Sequence, residues 1–179
     1  LDSRGLSQNY QSYFEEQAAK VYQRYEEMLT RNNSVDFDDL LMKAVLLLRD
    51  NSEVLKRYQR RYLHVLVDEF QDTNVVQYAL AKLLAGEHRN ICVVGDADQS
   101  IYSWRHADIR NILSFQKDYP EARTITLEEN YRTTGAILEA AKQLISANKM
   151  RLPKDLRTNR ERGHPVMVHE VYDEEEEAQ

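Results

Sequence analysis

Short, mainly apolar segments alternate with longer amphipathic ones along this chain, and that alternation limits its fold more than any other feature. Leu63–Val67 and Asn90–Val94 are apolar and rich in β-branched residues, and a segment with helical periodicity, Asn74–Ala85, lies between them. Short buried strands that alternate with helices are typical of parallel βαβ units. The sequence therefore predicts an α/β fold built on a parallel sheet with flanking helices.

The rest of the chain has the same character. Glycine and proline number only 5 and 3 among 179 residues, which favours long regular elements over loops. Apolar residues at spacings of three and four predict further helices, and short apolar runs predict further strands. The predicted helices are Ser7–Arg31, Asp36–Arg49, a short one from Ser52, Ala107–Asp118, and one capped by Thr133 or Thr134 that runs to about Lys149; the predicted strands are Thr124–Leu127 and Val166–Val171.

Composition and charge exclude few classes of partner. The longest apolar run, Ala44–Leu48, is far shorter than the ~20 residues needed to cross a bilayer, so we expect no membrane contact. No basic-then-apolar leader opens the chain, and its single cysteine, Cys92, cannot form an internal disulfide, so we expect a reducing, cytoplasmic location. The net charge is -6, but Asp173–Glu177 alone contribute five negative charges, so charge by itself does not exclude nucleic acid.

Polar clusters follow three of the predicted strands, and the first is the pair Asp68-Glu69. Ligands of parallel sheets bind beyond the carboxyl ends of the strands, so we expect the three clusters to face one crevice. Of two adjacent carboxylates, one can hold Mg²⁺ through its water shell while the other orients or deprotonates an attacking water, as phosphoryl transfer requires. Alternatively, both acids only favour the positive end of the following helix.

The second cluster follows Val94 and combines polar, flat and cationic side chains. Gln99 can recognise a phosphate by a neutral hydrogen bond, and Arg105 can supply charge for one. Tyr102 and Trp104 offer flat faces on which unpaired bases can stack, worth ~1–3 kcal/mol per base. Alternatively Trp104, the only tryptophan, is an anchor of the core.

The third cluster, Tyr131-Arg132, lies at a predicted helix start after the strand Thr124–Leu127. An aromatic ring beside an arginine can stack on a nucleotide base and contact its phosphates. Taken alone, the pair is a weak signal, because tyrosine and arginine also precede a capping threonine by chance. The histidines are scattered along the chain, with no spacing that suggests a metal site.

Together the three clusters form a specific signature. The segments VDEFQDTN, VVGDADQSIYSWR and LEENYRTT, in this order and preceded by VDFDDLL at Val35–Leu41, resemble the superfamily 1 DNA helicases of the UvrD/PcrA/Rep type. The resemblance extends from about Tyr13 to the end of the sequence. It implies an enzyme with two RecA-like lobes that bind ATP in the cleft between them. Such an enzyme translocates 3′ to 5′ on single-stranded DNA and unwinds duplex DNA in repair or replication.

The resemblance also implies roles for individual residues. Asp68 would coordinate Mg²⁺, and Glu69 would activate the hydrolytic water. Gln99 would contact the γ-phosphate of ATP and link the ATP state to the grip on DNA. The remaining roles are stacking on DNA bases by Tyr102 and Trp104, stacking on adenine by Tyr131, an arginine finger at Arg132, and a place near the phosphates and Glu69 for Arg105.

Some features depart from the family pattern. His106 stands where the family usually has glycine, and Ser103 replaces a common basic residue; both lie on the DNA side of the second cluster. None of the five glycines is followed by lysine, so the sequence lacks the G-x-x-x-x-G-K-[ST] loop that holds the phosphates in this family.

We therefore expect an internal segment of a longer helicase, inactive on its own. Residues 1–35 would end an inserted helical subdomain, 36–123 would form the C-terminal part of the first RecA-like lobe with an incomplete parallel sheet, and 124–179 would start the second RecA-like lobe. Two alternatives stay open. The chain could be a non-catalytic remnant that binds DNA, or that binds the basic surface of a DNA-repair protein through its acidic end. It could also be the helicase subunit of a recombination helicase–nuclease.

Overall fold

The computed structural model describes Gly5 and residues 10–178. Its helices are α1 (Tyr13–Arg31), α2 (Phe37–Asp50), α3 (Ser52–Arg61), α4 (Val75–Ala85), α5 (Arg110–Asp118), α6 (Gly135–Ile145) and α7 (Glu174–Glu177). Its strands are β1 (Val65–Val67) and β2 (Ile91–Val93), and single 3₁₀ turns cover Phe70–Asp72, Ala97–Gln99 and Ser103–Arg105. Contacts divide the chain into two compact units. The first comprises the described residues up to Val67 together with Val75–Cys92; the second comprises Asp68–Asn74 and the described residues from Val93 onward.

The predicted helices form, and side-chain caps mark where the first two begin. Ser12 Oγ accepts the Glu15 N–H (3.2 Å) before α1, and Asp36 Oδ1 accepts the Asp39 N–H (2.8 Å) before α2. Such caps satisfy backbone donors that have no partner inside the helix. The Tyr25 hydroxyl also donates to Asp36 (2.8 Å), which joins α1 to the start of α2. Residues 7–9 of the predicted first helix lie outside the described residues.

The first unit contains the predicted βαβ arrangement. Strands β1 and β2 pair in parallel, with the Val65 N–H donating to the Asn90 carbonyl (3.1 Å), and α4 connects them. Helices α2, α3 and α4 pack together, and their contacts bury Leu48, Tyr78 and Ala81. Each large apolar side chain buried in this way stabilises the fold by about 1.5–3 kcal/mol.

Two predicted strands are wrong. Thr124–Leu127 and Val166–Val171 are irregular, and the described residues near them hold only one isolated parallel bridge, between Glu129 and Arg157. Ile125 is 71% exposed and Val168 is 93% exposed. A strand is stable only when a neighbour pairs with its backbone, and the described residues offer these segments no partner strand.

The apolar face predicted for α1 is present, but the described structure leaves most of it exposed. Phe14 is 80% exposed and Val21 69%, while Ala19 is the buried residue of this helix. No helix among the described residues has the length and apolar character that a membrane span requires.

Candidate active site

The acidic pair Asp68-Glu69 lies directly after β1, as the sequence predicts. Asp68 Oδ1 accepts the Glu69 N–H (2.9 Å), and both side chains are exposed. Glu69 adopts the left-handed backbone conformation (φ 47°, ψ 43°) immediately before the 3₁₀ turn Phe70–Asp72. This conformation costs a non-glycine residue roughly 1–2 kcal/mol, and such strain tends to be kept at functional positions.

Phe70 anchors that turn to the loop that follows β2. Its side chain is fully buried, and its ring meets the Phe115 ring of α5 edge-on at 5.6 Å. Its backbone N–H donates to the Val94 carbonyl (2.9 Å). The acidic pair is therefore held on a turn whose base is packed and hydrogen-bonded.

Gln71, next in the turn, connects the first and second clusters. Its amide nitrogen donates to Glu69 Oε2 (2.8 Å), and its amide oxygen accepts the backbone N–H of Asp96 (2.9 Å). The Asp96 carboxylate in turn accepts a hydrogen bond from the Gln99 amide (2.8 Å). The structure thus joins Glu69 and Gln99 in one hydrogen-bonded network.

Two cations from the segment after α6 pair with the second cluster. Lys154 Nζ contacts the carboxylates of both Asp96 and Asp98, the latter at 3.1 Å, and Arg151 Nη2 lies 2.9 Å from Asp98 Oδ2. Burial raises the pKa of Asp96, but hydrogen bonds from Lys154 and Gln99 outweigh it and hold that pKa below its ordinary value. The side chains of Lys154 and Asp98 are only 12% and 7% exposed, so these pairs lie largely out of water.

The aromatic residues of the second cluster lie on the surface. Trp104 is 74% exposed, so the alternative that it anchors the core is wrong. The Tyr102 and Trp104 rings lie 6.2 Å apart, and the Arg105 guanidinium lies 5.4 Å from the centre of the Trp104 ring. The arrangement presents an exposed ring with a cation over one face, so the ring can stack on a base and the cation lies close enough to contact the adjacent phosphate.

The third cluster is not in direct contact with the first two. The Tyr131 ring is 75% exposed and its hydroxyl donates to Glu129 Oε2 (3.0 Å), while the Arg132 guanidinium has no ion-pair partner among the described residues. No hydrogen bond, ion pair or ring contact joins Tyr131 or Arg132 to Asp68, Glu69 or Gln99 in the part of the chain that the structure describes. The predicted convergence is thus direct for two clusters out of three.

The donor set of the site fits Mg²⁺ held jointly with a phosphate ligand. Within the described ranges there is no group of three His, Cys, Asp or Glu side chains that could form a metal cage. Mg²⁺ usually keeps several waters and binds through one or two carboxylates plus substrate phosphates. Asp68 suits that mode, because its Oδ2 accepts no hydrogen bond from the described residues.

Matches to family models cover nearly the whole chain. Residues 2–120 match the UvrD/REP helicase N-terminal domain. The chain belongs to the UvrD/REP helicase family. Residues 125–179 match the UvrD-like helicase C-terminal domain, which agrees with the family signature seen in the three clusters.

Curated relatives of this UvrD/REP helicase chain include bacterial proteins named ATP-dependent DNA helicase PcrA. The chain is 51% identical over 167 residues to PcrA of Staphylococcus aureus (strain Mu50). The matched stretch is 93% of this chain and 23% of that protein. The chain is 49% identical over 167 residues to PcrA of Staphylococcus epidermidis (strain ATCC 12228), with the same coverage of both proteins. The chain thus spans about a quarter of the length of these relatives.

The sequence patterns of this UvrD/REP helicase chain do not predict three residues of the candidate site. These are Gln71, Arg151 and Lys154, each of which binds a residue of the first two clusters. Two carboxylates close together after a strand, Asp96 and Asp98, were the available signal, because acids that become buried require cationic partners. Nothing in the sequence identified which cations would pair with them.

Proposed function

We propose that this chain is the part of an ATP-dependent DNA helicase that carries the acidic ATPase pair and the DNA-stacking aromatic residues. The observation that carries the proposal is the hydrogen-bonded network from Glu69 through Gln71 and Asp96 to Gln99, at the carboxyl ends of two adjacent parallel strands. Ligands of parallel sheets bind at these ends. The PcrA relatives, whose names state ATP-dependent DNA helicase activity, support the same assignment.

In this proposal the residues of the network divide the work of ATP hydrolysis. Bound Mg²⁺-ATP supplies the electrophilic phosphorus and a charge that offsets the negative charge developing in the transition state. Asp68 would hold the metal, and Glu69 would orient the attacking water and accept its proton. Gln99 donates one amide hydrogen to Asp96 and offers the other to the γ-phosphate. Tyr131 stacks on adenine, Arg132 acts as the arginine finger, and Arg105 lies near the phosphates.

The exposed aromatic pair forms the DNA side of the proposal. Tyr102 and Trp104 stack on successive bases of single-stranded DNA, and Arg105 contacts a phosphate. Translocation runs 3′ to 5′, as the family resemblance implies, and leads to unwinding of duplex DNA in repair or replication. We also propose a cytoplasmic location and DNA-repair proteins as partners.

The proposed domain organisation follows the same family pattern. Residues 1–35 end an inserted helical subdomain, 36–123 belong to the first RecA-like lobe, and 124–179 start the second. Because the sequence lacks the G-x-x-x-x-G-K-[ST] loop, the phosphates need a binding loop from residues outside it, and this chain alone does not turn over ATP.

Steady-state ATPase assays with single-stranded DNA test the catalytic part. In the complete protein that contains this chain, we expect Glu69→Gln to lower kcat by about 10²–10⁴-fold, the usual contribution of a positioned general base. Glu53→Gln, an exposed glutamate in the first turn of α3, is the matched control and leaves kcat unchanged. Full activity of Glu69→Gln would refute the catalytic assignment, and robust turnover by this chain alone would refute the need for an external phosphate loop.

A second candidate is a helicase remnant that binds DNA without catalysis, favoured by the missing phosphate loop together with the exposed Trp104. Because Trp104 is the only tryptophan, its fluorescence reports this site directly. Both candidates predict quenching by a single-stranded oligonucleotide at low salt, weakened in Tyr102→Ala. Only the helicase candidate predicts DNA-stimulated ATPase activity in the complete protein. Absence of quenching counts against direct DNA binding, which both candidates assume.

A further inference from the structure

Gln71 is the most deeply buried polar side chain among the described residues, at 1% exposure, and its amide is fully hydrogen-bonded. The nitrogen donates to two carboxylates, Glu69 Oε2 (2.8 Å) and Asp72 Oδ2 (3.3 Å), and the oxygen accepts the Asp96 N–H (2.9 Å). A carboxylate can only accept and a backbone N–H can only donate, so the partners fix which end of the amide faces which way. The flipped orientation of the amide, with its nitrogen and oxygen exchanged, would therefore lose these hydrogen bonds.

The surroundings of Gln71 leave its amide no room to shift. A Cβ atom added at Gly95 would lie 2.6 Å from Gln71 Oε1 and 3.1 Å from the Phe70 backbone nitrogen. Glycine at this position is what allows the loop after β2 to approach the amide so closely. The hydroxyl of Ser100, in the same loop, donates to the backbone carbonyl oxygen of Gln71 (3.4 Å), which also ties the loop to the Gln71 main chain.

Glu69 depends on this amide for its direction. Its carboxylate is exposed on a left-handed residue, and Gln71 is its only hydrogen-bond donor among the described residues. A freely rotating carboxylate would spend little time aimed at one water, and a misplacement of about 1 Å can cost on the order of 10²-fold in rate. A buried amide, rather than an apolar side chain, is what this position requires.

We propose that Gln71 is a positioning residue that holds the Glu69 carboxylate toward the attacking water and ties it, through Asp96, to the Gln99 loop. The proposal rests on the proposed ATPase function. It assigns a mechanistic role to a side chain that touches neither ATP nor DNA. Movement of the Gln99 loop is then transmitted to Glu69 through one amide, because Asp96 contributes both the backbone N–H bound by Gln71 and the carboxylate bound by Gln99.

Two near-isosteric variants in the complete protein test the proposal. Gln71→Met removes all three hydrogen bonds, whereas Gln71→Glu keeps the acceptor for the Asp96 N–H and replaces the donor with a carboxylate oxygen. At pH 8 we expect both to lower kcat for DNA-stimulated ATP hydrolysis by at least about tenfold, with the KM for ATP within about twofold of the parent value. A side chain that merely fills space would not separate kcat from KM in this way.

The pH dependence of Gln71→Glu gives a readout that stability alone cannot mimic. A carboxyl group buried between Glu69 and Asp72 takes up a proton more readily than usual, and its O–H then replaces the lost donor. We therefore expect kcat of Gln71→Glu to recover toward the parent value as the pH falls from 8 to 6, whereas Gln71→Met shows no recovery. Gly95→Ala, which displaces the amide without removing it, lowers kcat in the same way at both pH values.

Gln59→Met is the matched control. Gln59 is a buried glutamine of the first unit whose amide donates to the Leu83 carbonyl (2.8 Å), so its loss lowers the melting temperature and leaves kcat unchanged. Unchanged kcat in folded Gln71→Met, no recovery of Gln71→Glu at pH 6, or an equal kcat loss in Gln59→Met would each overturn the proposal. Lack of DNA-stimulated ATPase in the parent protein would instead overturn the proposed function, so the two failures are distinguishable.

Discussion

Left-handed backbone at residues other than glycine marks two positions beside the candidate active site. Glu69 (φ 47°) and His106 (φ 65°) both adopt it. At Glu69 the carboxylate takes part in the network, so replacement by glycine would remove the function together with the strain. At His106 the side chain is exposed and makes no described contact. The strain at His106 can therefore be removed without losing an interaction.

His106→Gly should stabilise the protein relative to His106→Ala. Glycine adopts φ 65° without the steric cost of a Cβ atom, which is roughly 1–2 kcal/mol, partly offset by its greater freedom in the unfolded chain. We expect a net gain of about 1 kcal/mol, or a rise of roughly 2–4 °C in melting temperature for a chain of this size. Thermal denaturation followed by circular dichroism measures it.

Ser103→Gly serves as the control for this comparison. Ser103 begins the 3₁₀ turn that ends just before His106 but has no positive φ, so glycine there brings only the entropic cost of about 0.5–1 kcal/mol. A melting temperature of His106→Gly equal to or below that of His106→Ala would show that the backbone at this position is not strained.

Among larger elements, the loop after β2 is fixed to the segment after α6 by charge. Lys154 and Arg151 bind the Asp96 and Asp98 carboxylates, and these side chains are 7–27% exposed. Loss of one member of a buried ion pair leaves the other charge uncompensated, which costs about 3–5 kcal/mol when burial is complete. Asp98 Oδ1 and Arg151 Nε are also buried without a hydrogen-bond partner, so this cluster already leaves one acceptor and one donor unsatisfied.

Lys154→Met should destabilise the fold by about 2 kcal/mol at neutral pH, measured by urea denaturation. The value is below that of a fully buried pair because Asp96 keeps some exposure and Arg151 still pairs with Asp98. Lys20→Met removes an exposed i,i+4 pair with Glu16 on α1, and such pairs contribute less than about 0.5 kcal/mol. Equal effects of the two substitutions would show that the Lys154 pairs contribute no more than a surface pair.

The same pairing predicts a dependence on pH. Because the folded state lowers the pKa of Asp96, its stabilisation is complete above the unfolded value near 4 and is lost as the pH falls through the lower folded value. The difference in stability between the parent chain and Asp96→Asn should therefore be largest above about pH 5 and shrink below pH 4. A difference that stays constant from pH 6 to pH 3 would contradict the role of the Asp96 carboxylate.

The elements also show how far sequence patterns reach. Local periodicity predicts α1 to α6, because a helix depends on residues close in sequence, and the alternation of apolar strand segments with a helical one predicts the β1–α4–β2 unit. The segment Thr124–Leu127 has the apolar composition of a strand but lacks a partner, and pairing is not a local property. The roles of Asp68, Glu69 and Gln99 are predictions from motifs, whereas the contact of Lys154 with Asp96, 58 residues away, comes only from the structure.

At the scale of the whole molecule, charge is unevenly distributed. The net charge is -6, and the exposed helix α7 alone carries four glutamates. Asp173 caps this helix by accepting the N–H groups of Glu175 and Glu176, and Glu176 Oε2 accepts the Tyr172 N–H (2.8 Å), a bond that the amide oxygen of a glutamine can also accept. Long-range repulsion between these glutamates and a polyanion depends on their total charge and is screened by salt, with a Debye length of about 10 Å at 0.1 M.

Replacing Glu174–Glu177 by glutamine should therefore raise the affinity for single-stranded DNA at low salt only. The substitution changes the net charge from -6 to -2 while leaving the Asp173 cap and the aromatic pair intact. We expect a several-fold tighter dissociation constant at low ionic strength by Trp104 quenching, and convergence with the parent chain at high salt, where repulsion is screened. Because α7 is exposed, the melting temperature should not change. Equal affinities at low salt, or a gain that persists at high salt, would show that long-range repulsion from α7 does not govern DNA binding.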